Sequence, residues 1–336
     1  MEYRSLGRTG VQVSELCLGC MNFGGKTTPE DSYDIIDRAI DAGINFLDTA
    51  NVYSRGRSEE VVGEALKRNG KRDQIVLATK VHGRMADDAP NAWGNHRRHI
   101  IEQCEASLRR LQTDTIDLYQ IHRPMSGIPI DETLRALDDL IRAGKVRYVG
   151  TSTYAAWQLV ESLWVSKELG LNRFVCEQPP YNLLDRRIER ELLPMAQTYG
   201  FGIIPWSPLA GGLLTGKYRR DEAPPEDARY ADVEGKPWME KRLTSGVYDV
   251  VEALDPMVEE KGFSMAQLAL AWVLHRPGVT SPIIGPRTMA QLEDNLGAVD
   301  VTFTEEDYER LDEVATPGRM LAPFYDADFG PHEYRW

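Results

Sequence analysis

Short apolar runs alternate along the chain with longer stretches in which apolar residues recur every three to four positions. The short runs read as buried strands: Leu16–Gly19, Asn45–Asp48, Ile75–Thr79, Ile116–Ile121, Val146–Ser152, Phe174–Glu177, Gly202–Trp206 and Pro282–Ile284. Between and after them lie helix-like segments: Pro29–Ala42, Ser58–Arg68, Arg97–Leu111, Asp131–Ala143, Ala155–Leu169, Arg187–Tyr199, Ser264–His275 and Thr288–Leu296. In the first of these, Ile35, Ile36, Ala39 and Ile40 make one apolar stripe. Several segments end on a helix stop, as at Ala42-Gly43, Ala143-Gly144 and Tyr199-Gly200. Eight strands alternating with eight helices predict an α/β fold, a closed parallel (β/α)₈ TIM barrel. A doubly wound sheet is the competitor. It needs a Gly-rich dinucleotide turn, and no G-x-G-x-x-G occurs in the chain.

Three segments stand outside the repeat. Residues 2–13 read as an N-terminal β-hairpin turning at Arg8-Thr9-Gly10 and plugging the barrel bottom. Residues 208–262 form a long loop with an extra helix, Val247–Gly262. A second extra helix follows Thr304, and then a Pro/Gly/aromatic tail over residues 317–336. With no linker or low-complexity tract, residues 1–336 are expected to form a single domain.

Charge changes the picture. A net charge of −13 argues against nucleic acid and anionic membrane surfaces as partners. It also means that any site for a phosphorylated ligand must concentrate positive charge locally. The start, MEYRSLGRTG, lacks the apolar core of a secretory signal, and no apolar run approaches the roughly 18 residues of a membrane helix. Cys17, Cys20, Cys104 and Cys176 are too few for a disulfide framework, so a reduced, cytoplasmic protein is expected. Cys17 and Cys20 form a lone C-x-x-C whose members face opposite sides of a strand. His96 and His99 lack a companion ligand set, so no metal is expected.

Catalytic groups of a barrel sit at the C-terminal strand ends and the loops beyond them. On that rim fall Asp48 after the second strand, Tyr53 on its loop, Lys80 after the third and His122 after the fourth. Singly, these are a helix cap, a solvated lysine and a core histidine as readily as a site. Together they make chemical sense. A phenol is ordinarily too weak an acid to work at neutral pH, and an adjacent ammonium favours its ionised form. A carboxylate holds that ammonium charged. A neutral imidazole can donate a hydrogen bond to a carbonyl oxygen.

These residues carry a family resemblance over essentially the whole chain. Asp41–Tyr53 (DAGINFLDTANVY), Asp114–Gln120 (DTIDLYQ) ahead of His122, and Gly144–Ser152 (GKVRYVGTS) resemble signatures of the aldo-keto reductase superfamily. The resemblance implies a tetrad of Asp48, Tyr53, Lys80 and His122 reducing an aldehyde or ketone, with Tyr53 as proton donor. It also implies NADP(H) bound at the barrel mouth. Ser152 and Gln178 would bond the nicotinamide carboxamide, and Trp206 would stack on its ring. Gly19, Cys20 and Met21 would meet the ribose, although relatives often carry Thr where Cys20 stands. Thr153 likewise replaces a frequent Asn. The run Ser207–Lys217 suits a loop over pyrophosphate: Ser207, Leu209 and Gly211 allow backbone N–H groups to approach, and Lys217 adds a charge. Arg229 lies at looser spacing from the same site.

Gly285 and Arg287 open the last barrel helix, where a phosphate gains from free N–H groups. By resemblance Arg287 would grip the 2′-phosphate, with Gln291, Asp294 and Asn295 against the adenosine. The tail, residues 317–336, is expected near the substrate pocket. The expected partner is a small-molecule carbonyl substrate, and monomer and homo-oligomer both stay open. Two other functions are compatible with these residues. One is a nicotinamide-binding regulatory subunit, as in the similar potassium-channel β subunits. The other is a reductase of nucleotide-activated deoxyhexoses, suggested by Ala155–Gln158 and Pro205–Gly216.

Overall fold

A computed structural model of the chain describes residues 1–226, 228–231 and 236–322. Strands β1 (Tyr3–Ser5) and β2 (Gln12–Ser14) form an antiparallel hairpin. The central strands are β3 (Cys17–Gly19), β4 (Phe46–Asp48), β5 (Val76–Val81), β6 (Ile116–Ile121), β7 (Val146–Ser152), β8 (Cys176–Gln178), β9 (Gly202–Ile203) and β10 (Ile283–Ile284). From β3 to β9 each pairs in parallel with the next in the chain, and β10 returns beside β3. Thr280 N–H to Ile203 O (2.7 Å) and Ile283 N–H to Pro205 O (2.8 Å) join the ends, giving the (β/α)₈ barrel.

The hairpin closes the bottom of this ring. Leu6 and Val13 are fully buried with the barrel-interior residues Phe46, Leu118 and Ile204. Arg8 N–H bonds Gly200 O at 3.0 Å, ahead of β9. Gly7 is required here: its φ is +57°, and a Cβ would stand 2.5 Å from Val175 O. With the N-terminal end plugged, the C-terminal strand ends are left as the mouth.

The barrel helices are α1 (Pro29–Asp41), α2 (Arg57–Asn69), α3 (Arg97–Leu111), α4 (Ile130–Arg142), α5 (Ala156–Leu169), α6 (Leu192–Tyr199), α9 (Met265–Leu274) and α10 (Met289–Leu296). Outside the repeat lie the one-turn α7 (Pro237–Glu240), α8 (Ser245–Lys261) and α11 (Glu305–Val314). Helix α1 shows the local logic. Thr28 Oγ1 accepts the Asp31 N–H, Pro29 supplies a preset φ in the first turn, and Ile35, Ile36 and Ala39 are buried. Gly43 follows at φ +95°.

Several expected boundaries move, β9 among them: expected over Gly202–Trp206, it covers Gly202–Ile203, ahead of Pro205. The helix expected over Arg187–Tyr199 divides into a 3₁₀ turn, Arg187–Glu189, and α6. Pro194 lacks an N–H and is accommodated only in a helix's first turn, so α6 starts at Leu192. Strand β8 is shifted to end at Gln178, where Pro179 and Pro180 stop the ladder. Strand β5 runs on to Val81, which puts Lys80 inside the strand rather than at its end. The expected placement of the tail falls, from Pro323 onward, outside the described residues. Before that point, Leu321 N–H bonds Leu184 O at 2.8 Å and Arg319 O accepts Arg186 N–H at 2.9 Å. Among the described residues no helix is long and apolar enough to cross a membrane.

Candidate active site

The mouth opens into a cleft of about 600 Å³ whose wall includes Asp48, Tyr53 and His122. Lys80 lies behind that wall, fully buried. Burial alone would depress its ammonium, but the Asp48 carboxylate and the Tyr53 oxygen outweigh burial and hold it above the ordinary lysine value. An ammonium has three protons, and each finds an acceptor: Asp48 Oδ2, Thr49 O at 2.9 Å and Tyr53 Oη at 3.4 Å. The solvated-lysine reading is thereby excluded. The other Asp48 oxygen accepts Gln120 Nε2 (2.9 Å) and Gln178 Nε2 (3.0 Å). The carboxylate is thus locked in orientation by two strands besides its own.

Tyr53 owes its position to a tight turn. Its N–H bonds Ala50 O at 3.2 Å, and Ser54, Arg55 and Gly56 then take successive left-handed φ values of +49°, +54° and +95° before α2 begins. The turn keeps the phenol at the rim, half-buried. His122 packs edge-on to it, with ring centroids 5.6 Å apart at 83°. Burial, then the charges of Lys80, Arg123 and His82, push the His122 imidazole well below its usual range. At neutral pH the ring is uncharged, and one of its nitrogens carries a proton it can donate.

From the tetrad the cleft runs to the opening of α10. Its wall includes Gly19, Met21, Gln178, Trp206, Ser207, Leu209, Gly211, Lys217, Arg229, Gly285, Arg287, Gln291, Asp294 and Asn295. Cys20 and Ser152 are not on the wall. Cys20 is buried, its thiol turned to Leu18 O at 3.6 Å and pushed up by burial. Ser152 Oγ donates to Gln178 O at 2.9 Å and accepts from Arg123 at 3.3 Å. Thr153 faces a separate cavity.

The donor set fits a phosphorylated nicotinamide cofactor. In a chain of charge −13, the cleft wall brings together Lys217 and Arg229 from the connection ahead of α7, Arg242 from beyond α7 and Arg287 from the opening of α10. Lys26, on the loop after β3, is held below the ordinary lysine value by partial burial, then by Arg229 and Arg287. Among the described residues Arg287 has no carboxylate partner within salt-bridge distance, so this end is cation-rich. Gly211 and Gly212 take φ +68° and +101°, which brings the backbone beside Lys217, and the Gly212 N–H is spent on Leu209 O at 2.8 Å. The tetrad end carries amides instead: Gln178 spends both amide protons on Asp48 and Gln120 (3.2 Å), so its oxygen is what it offers a ligand.

Several residues here escaped the sequence reading. Gln120 had a usable signal, because Leu118, Gln120 and His122 share one strand face and a polar residue aimed into a barrel needs a partner. Lys26, Arg123 and Arg242 had none, since each is a loop cation whose neighbours are remote in sequence. Asn22 is similar: its amide bonds Gly285 O at 3.2 Å, and Thr27 Oγ1 bonds Arg287 O at 3.1 Å, tying the first loop to the last.

Comparison with known proteins points the same way. The aldo/keto reductase family model matches residues 15–316. An uncharacterized oxidoreductase of Bacillus subtilis, YrpG, is 41% identical over 94% of this chain and 96% of its own length. A probable voltage-gated potassium channel subunit beta of Oryza sativa is 38% identical over 94% of this chain and 96% of its own. The versiconal hemiacetal acetate reductase of Aspergillus parasiticus is 35% identical over 94% and 98%. With a family match that spans the barrel and relatives this similar along nearly their whole lengths, this chain belongs to the aldo/keto reductase family.

Proposed function

We propose that this oxidoreductase reduces an aldehyde or ketone with NADPH, Tyr53 protonating the substrate oxygen. One observation carries the reading: the Tyr53 hydroxyl meets the cleft on one side and a buried, carboxylate-paired ammonium on the other. Bound NADPH would supply the hydride to the carbonyl carbon. Tyr53 gives its proton to the carbonyl oxygen, and Lys80 stabilises the charge left on the phenolate. Asp48 keeps Lys80 charged and fixed. His122 donates a hydrogen bond to the same carbonyl oxygen and orients the substrate.

The cofactor would be held by Gln178 at the carboxamide, with Ser152 bonding the Gln178 backbone carbonyl behind it, and Trp206 against the ring, with the backbone of Gly19–Met21 at the ribose. The loop carrying Ser207, Leu209, Gly211 and Lys217 would take the pyrophosphate, with Arg229 beside it. Arg287 would take the 2′-phosphate, and Gln291, Asp294 and Asn295 the adenosine. A panel of aldehydes, diketones, quinones and sugar carbonyls, followed by loss of NADPH absorbance, tests the reading. Sugar turnover alone would identify a dedicated deoxyhexose reductase. The relatives described as channel β subunits keep a second reading open, a cofactor-binding regulatory subunit. Purified protein that binds NADPH but turns over nothing in the panel would favour it.

Arg287→Ala is expected to weaken NADPH binding about 10- to 150-fold, the worth of a charge-assisted contact of roughly 1.5–3 kcal/mol. NADH binding should change far less. Equal losses for both cofactors would show that Arg287 supports the loop and does not read the phosphate. His122→Ala should lower kcat/KM about 10- to 100-fold across several carbonyls through lost orientation. The same variant has a pH signature. The imidazole titrates lower in the folded than in the unfolded state, so wild-type stability is full above about pH 6.5 and falls as pH drops below it. Denaturant unfolding of His122→Ala should show a shallower acid decline, and an unchanged decline would contradict the depressed titration.

A further inference from the structure

We infer that Glu177 is a positioning residue for the nicotinamide end of the cleft, clamping the Ser152–Tyr154 corner in the left-handed turn that sets Ser152 beside Gln178. This rests on the cofactor reading above. Alternation along β8 sends Gln178 into the barrel and Glu177 out of it, where its side chain is fully buried. Glu177 Oε2 bonds the Thr151 hydroxyl, and Oε1 accepts the Tyr154 N–H at 3.1 Å. Those two bonds straddle Ser152 and Thr153.

The corner needs a clamp because of what occupies it. Thr153 sits at φ +62°, a region open to Gly and Asn but poor for a β-branched residue. Such a conformation persists only where its surroundings over-determine it. Here Thr153 N–H and Ser152 Oγ both donate to Gln178 O, at 3.2 and 2.9 Å. The next residue's N–H goes to Glu177. Consecutive groups on one strand therefore hold consecutive groups of the corner.

The clamp works as a neutral acid. Burial pushes the Glu177 carboxyl up to about 8, against the pull of its Thr151, Tyr154 and Thr153 hydrogen bonds and the Arg123 charge. Its titratable neighbours, the Cys176 thiol and the Tyr154 phenol, are themselves pushed up by burial. Protonated, Glu177 donates from Oε2 to Thr151 Oγ1, whose own proton turns to Cys176 O at 3.3 Å. Oε1 goes on accepting from Tyr154. Every group is satisfied without a buried charge.

The test uses two probes on the full chain, NADPH and 2′-phospho-ADP-ribose, which lacks the nicotinamide. Titration calorimetry of E177A should show NADPH weakened about tenfold and the fragment within about twofold of wild type. E177D, too short to reach Thr151 and Tyr154 together, should lose about three- to fivefold for NADPH alone, and it carries the test if E177A does not fold. E177Q, isosteric with the neutral acid, should restore wild-type binding. Folded variants that hold NADPH as wild type, or lose both probes equally, overturn the assignment, as does an E177Q as impaired as E177A. Wild-type protein that binds neither probe overturns the cofactor reading and this inference with it.

Discussion

Replacing Tyr53 by Phe is expected to cut carbonyl reduction by about 10²- to 10⁴-fold, the usual worth of a positioned general acid. NADPH binding should stay within a few-fold, because the change deletes one hydroxyl and keeps the ring that packs on His122. Stability should move little as well. The hydroxyl is the longest of the three contacts made by Lys80 Nζ, at 3.4 Å, and the Asp48 and Thr49 acceptors remain. Single-turnover rates with saturating NADPH separate the chemical step from release. A Tyr53→Phe protein with near-wild-type turnover would eliminate the proposed mechanism, since among the described residues the rim offers no second group with a comparable proton and cation.

Lys80→Met should damage catalysis comparably and, unlike Tyr53→Phe, should also destabilise the fold. Its side chain is 0% exposed and that of Asp48 4%, so removing the cation leaves a carboxylate stranded in the barrel. Breaking one side of a buried pair typically costs roughly 3–5 kcal/mol. The double variant Asp48→Asn/Lys80→Met should recover much of that stability and none of the activity, because Asn buries no charge. The pH dependence follows from the raised titration of Lys80. Its stabilising contribution is complete below the ordinary lysine value of about 10.4 and is lost as pH rises through the higher folded-state value. Alkaline unfolding curves should therefore lose this component in Lys80→Met. If the single and double variants prove equally stable, Asp48 and Lys80 are not paired as described.

These expectations divide between features readable along the chain and features that appear only on folding. Arg97–Leu111, Ile116–Ile121 and Val146–Ser152 were readable to the residue, because helix and strand follow from apolar periods and caps that act over a few positions. Pro194 carried the break before α6 in the same local way, overridden by the apolar stripe around it. The rim positions of Asp48, Tyr53 and His122 followed from strand ends, since a parallel barrel directs every strand toward one mouth. What local pattern could not supply was environment. Asp48 and Lys80 are 32 residues apart, and Gln178 reaches Asp48 across 130. The gathering of Lys26, Arg229 and Arg287 draws on three separate loops. Charge state depends on burial and on distances between remote groups, which exist only once the barrel closes. The sequence by itself therefore determined that Asp48, Tyr53 and His122 stand at the mouth. The tertiary structure alone decided that Lys80 is a buried ammonium, that His122 is a neutral ring and that burial pushes the Glu177 carboxyl up, because each is set by the water and charge that the fold removes or brings near.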